Sequence, residues 1–160
     1  MHGESPTEAN PSSVQGICPT GWHVPSEAEW TQLVDYLSNH SQYLCDGNNA
    51  NVAKAMSAIS LDWDTISNTC AVGDNLIGNN TSGFSALPAG RFYSDSYLPS
   101  GVNCGTYQDF SKNAFYWTAT NHWSAEEYLA RGINISYNNA NVLREPYSKM
   151  DALSVRCLRD

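Results

Sequence analysis

The chain has 160 residues and a net charge of −8, from sixteen acidic groups against eight basic ones, with only 15% of side chains charged. That length suits one domain with a real core, and an acidic body with no basic patch excludes nucleic acid and anionic membrane surfaces as partners. Residues 1–106 hold ten acids against Lys54 and Arg91, whereas residues 107–160 hold six groups of each sign.

Residues 1–15 are polar and rich in Pro, Ser, Glu and Asn. They read as a linker or remnant ahead of a domain over 16–160, and the chain as a fragment of a longer exported protein. No apolar run is long enough to cross a membrane. Pro25 followed by Ser26, with Glu29 three residues on, forms a capping box and starts a helix. Trp30, Leu33, Val34 and Leu37 then fall on one apolar stripe, leaving Glu27, Gln32 and Asp35 for solvent. After a polar loop carrying Cys45, the residues Val52, Ala55, Met56 and Ile59 mark a second, shorter amphipathic helix that Leu61-Asp62-Trp63 closes.

Residues 64–82 form a long irregular stretch. In Gly83–Gly90, Pro88 and Gly90 exclude a regular central strand, so this segment reads as chain buried under loops. Alternation then predicts strands over 115–120, 128–135, 142–145 and 153–158, with turns at Asn138-Asn139 and Ser148-Lys149. In the last strand Leu153, Val155 and Cys157 point inward, and the loop carrying Cys18 is a candidate neighbour. Trp22, Trp30, Trp63 and Trp117 are assigned to the core. Arg91 and Arg156, in otherwise apolar segments, are expected to be structural.

The five cysteines at 18, 45, 70, 104 and 157 include no C-x-x-C pair and none at zinc-ligand spacing to a histidine. Disulfides fit this pattern better than metal; the alternative is five reduced, buried thiols. The four histidines are scattered, and His23, between Trp22 and Val24, reads as a satisfied core histidine. Ser85 lacks the final glycine of a nucleophile elbow. Asp62 and Asp64 flank Trp63 as solvated helix-end carboxylates, and no calcium loop motif occurs. The reading therefore assigns no catalytic residue, no cofactor and no metal.

Four segments, CPTGWHVPSEAEW (18–30), GFSALPAGRF (83–92), FYWTAT (115–120) and SVRCLRD (154–160), resemble the Fibrobacter succinogenes major paralogous domain, a module of bacterial surface proteins. The resemblance spans roughly residues 16–160. It implies an α+β, C-type-lectin-like fold, with two helices, a small twisted antiparallel sheet and long irregular loops, distantly similar to formylglycine-generating domains. It also implies the pairings Cys18 with Cys157 and Cys45 with Cys70, leaving Cys104 over. The closely spaced cysteine pair of formylglycine-generating enzymes is absent here. Glu145-Pro146-Tyr147 without W-N-D also departs from the calcium-dependent sugar site of animal lectins.

The remaining signal is a surface. Asn121, His122, Trp123, Glu126, Tyr128, Arg131, Asn134, Tyr137, Asn139, Asn141, Arg144, Glu145 and Tyr147 combine rigid aromatic area with adaptable hydrogen bonding. Strand and turn preferences alone also favour Tyr, Trp and Asn. The leading expectation is a non-enzymatic adhesin or lectin-like domain, at the cell surface or extracellular, that binds a glycan or protein through its C-terminal third. The rivals are a structural spacer module and a formylglycine-generating-like enzyme.

Overall fold

The structure, a computed structural model of the chain, describes residues 4–94, 105–122 and 128–160. It is an α+β arrangement of few helices and small antiparallel sheets. In chain order the elements are β1 (Trp22–His23), α1 (Glu27–Ser38), α2 (Ala53–Met56), β2 (Arg91–Tyr93), β3 (Thr106–Gln108), β4 (Asn113–Asn121), β5 (Leu129–Ser136), β6 (Val142–Ser148) and β7 (Leu158–Arg159). Among the described residues three sheets form: β1 with β7, β2 with β3, and the order β4-β5-β6.

Helix α1 starts as its capping box dictates, with the Ser26 hydroxyl accepting from the Glu29 amide and the Glu29 carboxylate accepting from the Ser26 amide. Its apolar stripe buries Trp30 and Leu37 against the sheet face that carries Tyr116, Ile133 and Ile135. Val52, Met56, Trp63 and Val72 complete this main core. The second helix is shorter than its periodicity predicts. It stops at Met56 because Ser57 turns extended and bridges Ala86, which leaves Ile59 60% exposed.

The long stretch after Trp63 contains only the 3₁₀ turn Leu76–Gly78. One ammonium organises much of it: Lys54 Nζ donates to the carbonyls of Ala71, Asp74 and Asn75. The disulfide Cys45–Cys70 ties the same region to the loop after α1.

Two terminal expectations are corrected. Residues 153–158 do not form a regular strand; Ser154 makes one parallel bridge to Tyr116, and only Leu158–Arg159 pairs, with Trp22–His23. Nor is the segment before Gly16 a free linker. Thr7 donates its amide to Ala119 and accepts from the Thr120 hydroxyl, Val14 is buried, and Ser12 donates to Glu29. These backbone groups find backbone and side-chain partners on β4 and at the start of α1. A smaller core of Val14, Cys18, Val24 and Ala119, with Val155 and Cys157 against it, results where the two ends of the chain meet across the disulfide Cys18–Cys157.

Candidate functional site

Because side chains alternate across a strand, the β4-β5-β6 sheet has two unlike faces. The inner face carries Ala114, Tyr116, Ile133, Ile135 and Val142 into the main core. On the outer face, Phe115 pairs across to Asn134, Trp117 to Gly132, and Ala130 to Tyr147. The Tyr147 ring lies over Gly132, where an added Cβ would sit 2.6 Å from Tyr147 Cδ2. It also meets Phe115 edge-on at 5.5 Å and Trp117 at 6.3 Å.

Arg91, on β2, caps this face. Its guanidinium stands 5.2 Å from the Phe115 ring centre and 5.5 Å from that of Tyr147. Asp151 at 3.6 Å and Asp109 at 3.7 Å balance its charge. Burial, together with the 2.8 Å hydrogen bond to Glu145 and that carboxylate's charge, pushes the Tyr147 phenol far above its ordinary range. Tyr147 is therefore a fixed hydrogen-bond donor at every physiological pH.

Beside this aromatic cluster the sheet opens into a cavity of about 410 Å³. Trp117 and Ala130 come from the sheet, Ile17 and Val24 from the N-terminal segment, and Val155 and Lys149 from the C-terminal one. Trp117 is half-buried and Ile17 is 73% exposed, so the cavity offers an aromatic surface with an open apolar rim. Its volume falls in the range of about 300–1,000 Å³ typical of small-ligand clefts. The sheet end beside it carries Asn121 opposite Ala130, then His122, and Tyr128, whose carbonyl accepts from the Lys149 amide.

The thirteen residues singled out in the sequence do not share one surface. Asn134, Glu145 and Tyr147 lie on the outer face, with Asn121, His122 and Tyr128 at the cavity end. Arg131 and Arg144 belong to the inner face: Arg131 pairs with Glu27 of α1 at 3.4 Å, and Arg144 stands across from Ile133. Tyr137, Asn139 and Asn141 form the β5–β6 turn at the opposite end. There Tyr137 packs on the main core, its carbonyl accepts from Gly73, and the Asn139 side chain accepts from the Asn141 amide. Trp123 and Glu126 lie outside the described residues, as does Cys104.

Trp117 is half-buried on the outer face instead of lying in the main core. Tyr116 and Trp117 are adjacent on one strand and cannot both point inward, a signal present in the alternation itself. Trp22 is likewise 40% exposed, whereas Trp30 and Trp63 are buried as expected.

A family model for the Fibrobacter succinogenes major domain matches residues 8–159. The chain belongs to that family. No curated protein and no solved structure matches the chain. The match begins at residue 8, in keeping with the packing of the N-terminal segment onto the major domain.

In this major domain the segments 18–30 and 154–160 meet in an ionic clasp, in which His23 and Glu29 are buried and Asp160 is exposed. His23 Nδ1 stands 2.6 Å from Asp160 Oδ1, and His23 Nε2 stands 2.9 Å from Glu29 Oε1. Burial favours the neutral ring, but the hydrogen bonds to Asp160 and Glu29 and their charges outweigh it and raise the His23 pKa. Glu29 is lowered: amide donors from Ser26 and Ser12, with His23 between them in importance, overcome its own burial. Both ring nitrogens are thus occupied, which leaves His23 no lone pair for a substrate. Cys45, Asp46 and Cys70 bring their ligand atoms within 4.8 Å of one another, but the two sulfurs are joined as a disulfide and offer no thiolate. Among the described residues, no helix is long and apolar enough to cross a membrane.

Proposed function

We propose that this chain is a non-enzymatic recognition module of an exported bacterial protein, built on a C-type-lectin-like plan, that binds an extracellular glycan or protein at the open end of its main sheet. The observation that carries this reading is Trp117, half-buried on the cavity, where the lining residues Ala130 and Lys149 pair through their backbones with Asn121 and Tyr128. An aromatic side chain in a partly apolar cavity, with Asn, His and Tyr in the neighbouring chain positions, suits stacking plus hydrogen bonding to a polar ligand. The two disulfides favour an oxidising compartment. The occupied ring nitrogens of His23 and the oxidised Cys157 weigh against an enzyme reading based on either group.

The test is a glycan and matrix-protein array probed with the oxidised domain and with its Trp117→Ala variant at matched thermal stability. Wild-type binding that the variant loses supports the assignment. Undiminished binding by Trp117→Ala removes the cavity from the reading.

A further inference from the structure

A second groove, also of about 410 Å³, opens beside β1 and β7 and shares no lining residue with the cavity at the sheet end. Trp22, Leu33, Phe84 and Leu158 give it apolar walls, with Trp22 40% and Leu158 45% exposed. At its margin the Arg156 guanidinium stacks 4.6 Å from the Phe84 ring centre, exposed and in no ion pair among the described residues.

The carboxylate that lines the groove is already engaged. Glu29, which lines it, gives one oxygen to His23 and the other to the amides of Ser12 and Ser26, and Asp160 is held by the other nitrogen of His23. In a chain of net charge −8, the groove's open ionic group is therefore a cation set in apolar surroundings. Among the described residues the ribbon beside it has two strands, and no third strand pairs with the outer edge of β7. An unpaired strand edge next to an apolar groove is the arrangement by which an extended peptide is taken up.

We propose that this groove docks an extended acidic segment of a partner polypeptide. An apolar side chain of that segment enters between Trp22 and Leu158, and a neighbouring Asp or Glu carboxylate meets Arg156. An arginine stacked on an aromatic ring keeps its planar donor fork free for a carboxylate. This docking is independent of the glycan or protein site at the sheet end.

The experiment is an NMR titration of the ¹⁵N-labelled, oxidised chain with the capped peptide acetyl-Leu-Asp-Leu-Asp-Leu-amide and with its lysine-for-aspartate counterpart. The acidic peptide is expected to shift the Trp22 indole and the amides of Cys157, Leu158 and Arg159, leaving the Trp117 indole unmoved. Arg156→Met keeps the aliphatic stem on Phe84 and weakens binding roughly tenfold or more, the loss expected for a charge-assisted contact. Matched melting temperatures of the variant and the parent exclude a folding defect. The proposal is overturned by unmoved Trp22 signals at millimolar peptide, by equal binding of the lysine peptide, or by shifts confined to Trp117. It is also overturned by concentration-dependent shifts of Trp22 without peptide, which would place a second copy of the chain in the groove.

Discussion

The two disulfides differ in the length of chain they close, and this sets a quantitative expectation. Cys18–Cys157 spans a sequence separation of 139 and Cys45–Cys70 one of 25. In the chain-entropy account, a cross-link destabilises the unfolded state by an amount that grows with the logarithm of loop length: about 5 kcal/mol for the longer loop and about 3.5 kcal/mol for the shorter. Each pair has one buried and one half-buried cysteine, so replacing both members with alanine leaves similar cavities, and that cost cancels in the comparison. The expected difference is about 1.5 kcal/mol, with Cys18→Ala/Cys157→Ala the less stable variant. The assay is urea unfolding followed by tryptophan fluorescence, with Cys104→Ser in every protein to stop thiol exchange and with both slope and midpoint fitted. A reversed order, or equal losses, would refute the unfolded-state argument and place the stabilisation in native contacts.

The clasp predicts a pH dependence of definite sign. The raised His23 pKa gives stability that is fully present below its ordinary 6.5 and is lost as pH rises through the raised value. The lowered Glu29 pKa gives stability present above its ordinary 4.5 and lost as pH falls through the lowered value. Melting curves from pH 3 to 10 should thus show a maximum between these limits, with the alkaline fall flattened in His23→Gln. Gly132→Ala should cost about 1–3 kcal/mol by calorimetry, because its Cβ meets a Tyr147 ring held by Glu145, Phe115 and Arg91. Lys54→Met should leave the Ala71, Asp74 and Asn75 carbonyls without their shared donor. Hydrogen exchange at Gly78, Asn79 and Asn80 should accelerate roughly tenfold or more, with little change in β5.

Local rules carried the sequence reading furthest where one signal sufficed. The Ser26–Glu29 box placed the start of α1, and alternation found β4, β5 and β6 to within a few residues. It failed where a partner distant in sequence decided the outcome. Ala86 ends α2 by capturing Ser57, and Trp22–His23 leaves β7 only two paired residues. The strands β2 and β3 are three residues each and carry too little periodicity to be seen in advance. The surface expected over 121–147 was chosen as a contiguous stretch, while a strand sends neighbours to opposite faces. Arg144 and Glu145 differ by one residue, yet one stands across from Ile133 and the other accepts from Tyr147. The cavity joins Ile17 and Val155 to Trp117, a meeting of distant segments that no local pattern announces.

The Cys18–Cys157 bridge has a mechanical meaning as well. Tension applied ahead of Cys18 and beyond Cys157 is carried by a single covalent S–S bond, and the fold between them hangs aside from the line of force. Fully stretched, the enclosed length of chain would span on the order of 500 Å, and none of it can be drawn out while the bridge holds. A pull on the two ends loads the segment before Cys18 and the residues after Cys157, which carry Ile17 of the cavity and Leu158 of the groove, but the enclosed β4-β5-β6 sheet cannot be unravelled for as long as the sulfurs stay oxidised.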